Sequence, residues 1–124
     1  MLRKVTKTYG SRFGSAATRA LRGVSLAVEA GEFVAVMGPS GSGKTTLLNL
    51  VAGLDRPDGG ELAVAGRNLS RLGGDALGEY RRTSVGFLFQ DSALLDTLTA
   101  EENIAFPLAL VKAKPAVLRA RVAE

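Results

Sequence analysis

Gly38-Pro39-Ser40-Gly41-Ser42-Gly43-Lys44-Thr45 fits G-x-x-x-x-G-K-[ST] without a mismatch, and no other stretch restricts the fold as much. A loop of this kind needs a buried strand leading in and a helix leading out. Both are written in the sequence. Phe33 to Met37 (FVAVM) is a continuous apolar run, which predicts a strand buried on both faces. Lys44 to Ala52 reads as a helix, with Leu47, Leu50, Val51 and Leu54 at helical spacing and Gly53 suited to its C-terminal stop. From average composition, about one chain in a hundred of this length would match the four fixed positions by chance. The competing reading is a plain glycine-rich loop with a surface lysine, and the flanking strand and helix favour the phosphate site.

Each residue type has a physical reason. Phosphate oxygens are approached by backbone N–H groups, which side chains would block. Gly41 and Gly43 remove those side chains and permit positive φ. The loop then presents a nest of donors and feeds the N-terminus of the 44–52 helix, whose dipole and unpaired amides favour an anion. Lys44 brings a mobile positive charge to the β- and γ-phosphates. The Thr45 hydroxyl suits Mg²⁺ bridging the same phosphates, and Thr46 lies one step further along, within reach of the α-phosphate. The ligand class is a nucleoside triphosphate with magnesium. The loop alone leaves kinases, GTPases, helicases and transport ATPases open.

The rest of the chain reads as a mixed α/β pattern. Residues 1–9 form a short strand, and Tyr9-Gly10-Ser11 begins a flexible stretch. Val24, Leu26 and Val28 alternate as a half-buried strand. Arg56-Pro57-Asp58-Gly59-Gly60 is a turn, Glu61 to Ala65 a strand, and Gly66-Arg67 a second turn. Asp75 is placed to cap a short helix through Arg82. Val85 to Phe89 (VGFLF) is a second buried strand ending at Gln90, far enough from FVAVM for the two to run parallel. Thr99 and Glu102 make a capping box for a helix from about Ala100, which Pro107 disturbs or ends. Pro115 opens another helix.

Composition narrows the chemistry. The 124 residues include no Cys, so disulfides and thiolate metal sites are excluded. They include no His, which removes the commonest general base and metal ligand. No apolar run is long enough to span a bilayer. The net charge of +4 is local: residues 1–28 hold six basic residues and no acid. A basic arm for nucleic acid or anionic lipid is one reading of that stretch. A solvated surface strand and loop is the other, and the lack of interleaved aromatics favours it.

Taken together, the motifs resemble the nucleotide-binding subunit of an ATP-binding cassette (ABC) transporter over essentially the whole chain. The likeness is carried by Lys7-Thr8-Tyr9-Gly10, by Ala20-Leu21-Arg22-Gly23-Val24-Ser25-Leu26, and by Gly31 to Met37 running through the loop into Thr46-Leu47-Leu48-Asn49. It continues in Ala52-Gly53-Leu54-Asp55-Arg56-Pro57-Asp58-Gly59-Gly60, in Val85 to Gln90, and in Leu94 to Asn103. The Met-Gly-Pro-Ser-Gly-Ser-Gly-Lys-Thr-Thr-Leu and Leu-Thr-Ala-Glu-Glu-Asn stretches are most similar to the bacterial lipoprotein-release and macrolide-export branch. The resemblance implies a P-loop NTPase core with an antiparallel β subdomain, truncated within the helical subdomain. It implies that Tyr9 stacks on adenine, with Phe13 a competing candidate. It implies that Gln90 ligates Mg²⁺ and senses the γ-phosphate, and that residues 91–103 face a membrane partner.

The family also uses an apolar strand ending in Asp-Glu, a Leu-Ser-Gly-Gly-Gln signature and a switch histidine. None occurs in these 124 residues. Leu72-Gly73-Gly74-Asp75 precedes Gln90 and is not the signature. The chain is therefore expected to be the N-terminal part of one ATP-binding domain, binding ATP and Mg²⁺ without efficient hydrolysis, and no catalytic residue is assigned. The expected partners are transmembrane permease subunits and, for the full-length form, a second nucleotide-binding subunit. Nucleic acid is not expected, and the expected location is the cytoplasmic face of the cell membrane. Two alternatives stay open in the sequence: a non-transport cassette ATPase acting on nucleic acid or ribosomes, and a non-cassette P-loop kinase.

Overall fold

A computed structural model describes residues 1–10, 16–91, 93–111 and 113–123. The chain divides into two compact units, Met1–Arg81 and Arg82–Glu124. Residues 11–15, which include the candidate Phe13, lie outside the described residues.

The first unit is built on a four-stranded antiparallel sheet in the order β2-β1-β3-β4. Its strands are β1 (Leu2–Tyr9), β2 (Thr18–Leu26), β3 (Gly59–Val64) and β4 (Arg67–Asn68). β1 is central, pairing Leu2 with Leu26 on one side and with Leu62 on the other. β2 begins earlier than the Val24–Val28 alternation predicts, because it pairs with β1 as far as Tyr9↔Thr18. A strand of period two would send Leu2 and Val5 to opposite faces. Lys4 adopts a left-handed φ of 47° and the ladder shifts there, so both leucine and valine are buried. Gly60 lies against this bulge at φ 85°; a Cβ on it would overlap the Lys4 and Arg3 carbonyls. Glycine is needed there for a close approach of two backbones.

Helix α1 (Lys44–Val51) buries Leu47 and Leu50, which join Leu2, Val5, Leu21 and Leu62 among the buried apolar residues. It stops as predicted: Ala52 is the C-cap and Gly53 turns left-handed at φ 69°. Helix α2 (Gly74–Ser84) seats against that stop. Tyr80, 1% exposed, donates its hydroxyl to the Val51 carbonyl at 2.7 Å, and Arg81 donates to the Gly53 carbonyl at 2.8 Å. A Cβ on Gly53 would come within 3.1 Å of the Tyr80 ring. Asp75 is not the cap of this helix. It sits inside the first turn, where its carboxylate favours the positive end of the dipole.

In the second unit, α3 (Ala100–Leu110) begins with the predicted capping box, Thr99 and Glu102 satisfying each other's backbone N–H. Pro107 lies within α3 rather than ending it. Pro115 opens α4 (Pro115–Ala123) as predicted.

Two predicted strands are corrected. Phe33–Met37 and Val85–Phe89 belong to none of the sheet strands. Phe33 is 96% exposed, Met37 88% and Leu88 97%. A doubly buried strand needs a ladder partner and a layer on each face, and the described residues supply these to neither segment. In the second segment Phe87 and Phe89 cover each other instead, ring centroids 4.5 Å apart.

Candidate functional site

The loop from Gly38 to Gly43 passes through three glycines with positive φ: Gly38 at 157°, Gly41 at 77° and Gly43 at 93°. Gly43 is constrained most. It is the N-cap of α1 and has no side chain to cap the helix, so the first amides of α1 keep their donors for another acceptor. A Cβ there would stand 2.6 Å from the Ala20 carbonyl oxygen and 3.0 Å from Leu21 Cδ2. Only glycine lets the loop lie this close to β2. A Cβ on Gly38 would stand 2.9 Å from Ser42 Oγ. The Ser42 N–H donates to the Pro39 carbonyl at 3.3 Å, turning the loop back on itself.

Lys44 reaches across this turn. Its ammonium donates to the Gly38 and Pro39 carbonyls at 2.8 Å each and lies 3.5 Å from Ser42 Oγ. These partners are neutral, so the positive charge at the N-terminus of α1 is solvated by the loop and not cancelled by it. Ser40 and Thr45 are exposed beside it, while Thr46 is half-buried.

Tyr9 ends β1 and is joined to the same helix. Its hydroxyl donates to Asp55 Oδ2 at 2.8 Å, with the Thr46 hydroxyl close enough to act on the phenol. Lys7, two residues back on the strand, donates to Asp55 Oδ1 at 2.7 Å and to the Arg56 carbonyl at 2.7 Å. The Lys7 ammonium also lies over the Tyr9 ring, 5.2 Å from its centroid. Burial and the Asp55 carboxylate raise the Tyr9 phenol above its ordinary value, against the Thr46 and Lys7 contacts. Burial would also raise Asp55, but the bonds from Lys7, Tyr9 and the Arg56 N–H outweigh it and hold that carboxyl below the usual range.

The structure thus brings Tyr9 close to Thr46 and places residues 38–43 in the loop that opens α1. Gln90 is exposed at the end of Val85–Phe89, in the second unit. Past it, Asn103 pins the chain before α3, donating to the Leu95, Leu98 and Thr99 carbonyls and accepting from the Leu95 N–H. Among the described residues no cluster of three or more acidic groups could hold a metal. Sequence reading missed Lys7, Asp55 and Asp58. Asp58 read there as part of a turn and Asp55 only as part of a stretch that carries the family likeness, and nothing local links Lys7 to a residue 48 positions away.

A glycine-lined loop capping a helix, with its lysine folded over the mouth, defines a P-loop nucleoside triphosphatase of the α/β class. The ABC transporter family model matches residues 21–124, and the chain belongs to that family. It is 48% identical over 121 residues to the ABC transporter ATP-binding protein YxdL of Bacillus subtilis, covering 98% of this chain and 46% of that protein. It is 48% identical over 103 residues to the lipoprotein-releasing system ATP-binding protein LolD of Anaeromyxobacter dehalogenans, covering 83% of this chain and 43% of that one. With the macrolide export protein MacB of Hyphomonas neptunium it shares 51% over 106 residues, covering 86% and 16%. The lipoprotein-release and macrolide-export proteins are thus among its relatives. Among solved structures, the dimeric post-hydrolysis state of the ATP-binding cassette MJ0796, bound to ADP and Pi, superposes with a TM-score of 0.88 at 40% identity, covering 98% of this chain and 53% of that one. The chain spans about half the length of the ATP-binding proteins and of the solved cassette that it matches.

Proposed function

We propose that the chain is the N-terminal part of one ATP-binding domain and binds Mg-ATP for an ABC transporter. The observation that carries this reading is the lysine: an ammonium held by neutral oxygens over the uncapped N-terminus of a helix. An entering triphosphate replaces those oxygens with charged ones, and charge-assisted bonds are the stronger kind. Pro39 has no N–H to donate and the Ser42 N–H already serves the Pro39 carbonyl, so the cup is formed by the other N–H groups of residues 40–46, opened by Gly41 and Gly43. Lys44 takes the β- and γ-phosphates. The exposed Thr45 hydroxyl is a hard oxygen ligand of the kind Mg²⁺ prefers. Magnesium, when bound, would neutralise phosphate charge, and Thr45 would help to hold it. Tyr9 stacks on adenine and Thr46 serves the α-phosphate side.

The 124 residues contain no Asp-Glu strand end to activate water, so by themselves they bind ATP without efficient hydrolysis. The whole protein would act with a second nucleotide-binding subunit and transmembrane permease subunits, at the cytoplasmic face of the membrane, to power export or lipoprotein release. Relatives named for lipoprotein release and macrolide export support this over a role on nucleic acid.

Lys44→Ala tests the binding site. Calorimetric titration with Mg-ATP should show an affinity loss of about tenfold or more, the scale of a lost charged hydrogen bond. Unchanged heat and affinity would remove the assignment. Co-purification with a membrane subunit, and not with nucleic acid, tests the transport role.

A further inference from the structure

We propose that Asp55 is a positioning residue for the base-binding site: by holding the Tyr9 hydroxyl, it fixes the ring on which the nucleotide base stacks. The proposal rests on the reading of Tyr9 as the stacking aromatic. Tyr9 is 43% exposed at a strand end, where a side chain ordinarily samples several rotamers, and ordering it would weaken binding. Asp55 removes that freedom. Its Oδ2 accepts from the phenol at 2.8 Å, while Lys7 and the Arg56 N–H, each at 2.7 Å, hold Oδ1. Both oxygens of the carboxylate are therefore fixed.

Asp55 is itself tied to the helix that carries the phosphate loop. Past the Gly53 turn, the N–H groups of Leu54 and Asp55 return to the Asn49 carbonyl at 2.9 and 3.3 Å. The ring is thus set relative to α1, whose other end is the loop. Base and phosphates belong to one ligand, so a fixed spacing between their sites lets both bind without rearrangement. Lys7 lies over one face of the ring, so the base would stack on the other.

Inorganic tripolyphosphate separates this role from general support of the helix, because it has phosphates and no base. Affinities of the 124-residue chain for Mg-ATP and for Mg-tripolyphosphate would be measured for Asp55→Asn, Tyr9→Phe, their double variant and Tyr9→Leu. Asp55→Asn should weaken Mg-ATP about three- to tenfold, the span of one aromatic stack, and leave tripolyphosphate unchanged. Tyr9→Phe keeps the ring and deletes the hydroxyl; it should show the same loss, and the double variant should lose no more. Tyr9→Phe carries the test if Asp55→Asn does not fold. Equal weakening of both ligands, or full ATP affinity in Tyr9→Phe, overturns the positioning role. Full ATP affinity in Tyr9→Leu overturns the stacking reading itself, and the proposal with it.

Discussion

Lys7 and Asp55 face each other at 2.7 Å across 48 residues of chain, and the pair gives the fold a defined pH window. Burial acts to raise the Asp55 carboxyl, but its hydrogen bonds hold it below the model-peptide value of 3.8. The unfolded chain then binds that proton more tightly. The stabilisation is present above 3.8 and is lost as pH falls through the lower folded value. For Lys7, burial acts to lower the ammonium, but Asp55 and Asp58 raise it above 10.5. That contribution is full below 10.5 and is lost as pH rises through the folded value. Asp55→Asn should therefore unfold at lower denaturant than the parent at pH 7, with the gap narrowing below pH 3.8. Urea titrations at pH 7 and pH 3 measure this; a gap that stays constant would mean that the carboxylate charge contributes nothing. The loop residues 38–45 were legible because their chemistry is contiguous in the sequence. Lys7 and Asp55 were not, because an ion pair between a strand and a helix end exists only once the two are packed.

Elements that end on local chemistry were equally legible. α1 stops at Gly53 and α4 starts at Pro115 because each residue's own backbone preference sets the boundary. The capping box of α3 is of the same kind: the Thr99 hydroxyl accepts from the Glu102 N–H at 3.2 Å, and Glu102 accepts from the Thr99 N–H at 2.8 Å. Thr99→Ala should cost about 1 kcal/mol of local helix stability, seen as faster amide exchange in the first turn of α3. Unchanged exchange would show that the cap is dispensable. The run of residues 2–9 hid its bulge, because the left-handed turn at Lys4 packs against Gly60 of a neighbouring strand, far away in the chain. Asp75 misled for a related reason: α2 starts one residue earlier, at Gly74.

Among the described residues, the two apolar runs Phe33–Met37 and Val85–Phe89 both expose large side chains. Phe33, Met37 and Leu88 face solvent, and exposed apolar segments of this type invite association. The 124-residue chain should enhance the fluorescence of the apolar dye ANS, and Phe33→Ser with Leu88→Ser should reduce that enhancement and any self-association. No dye response would mean that these runs are covered in solution.

By itself the sequence determined the glycine-rich loop of residues 38–43, the helix behind it, the capping chemistry and the family, because each depends on residues close together along the chain. Tertiary structure decided the rest. It tied Tyr9 to Asp55 and Thr46, set the bulge opposite Gly60, and withheld a sheet from Phe33–Met37 and Val85–Phe89. An apolar pattern states only that a segment can be buried; whether it is buried depends on which surfaces fold against it.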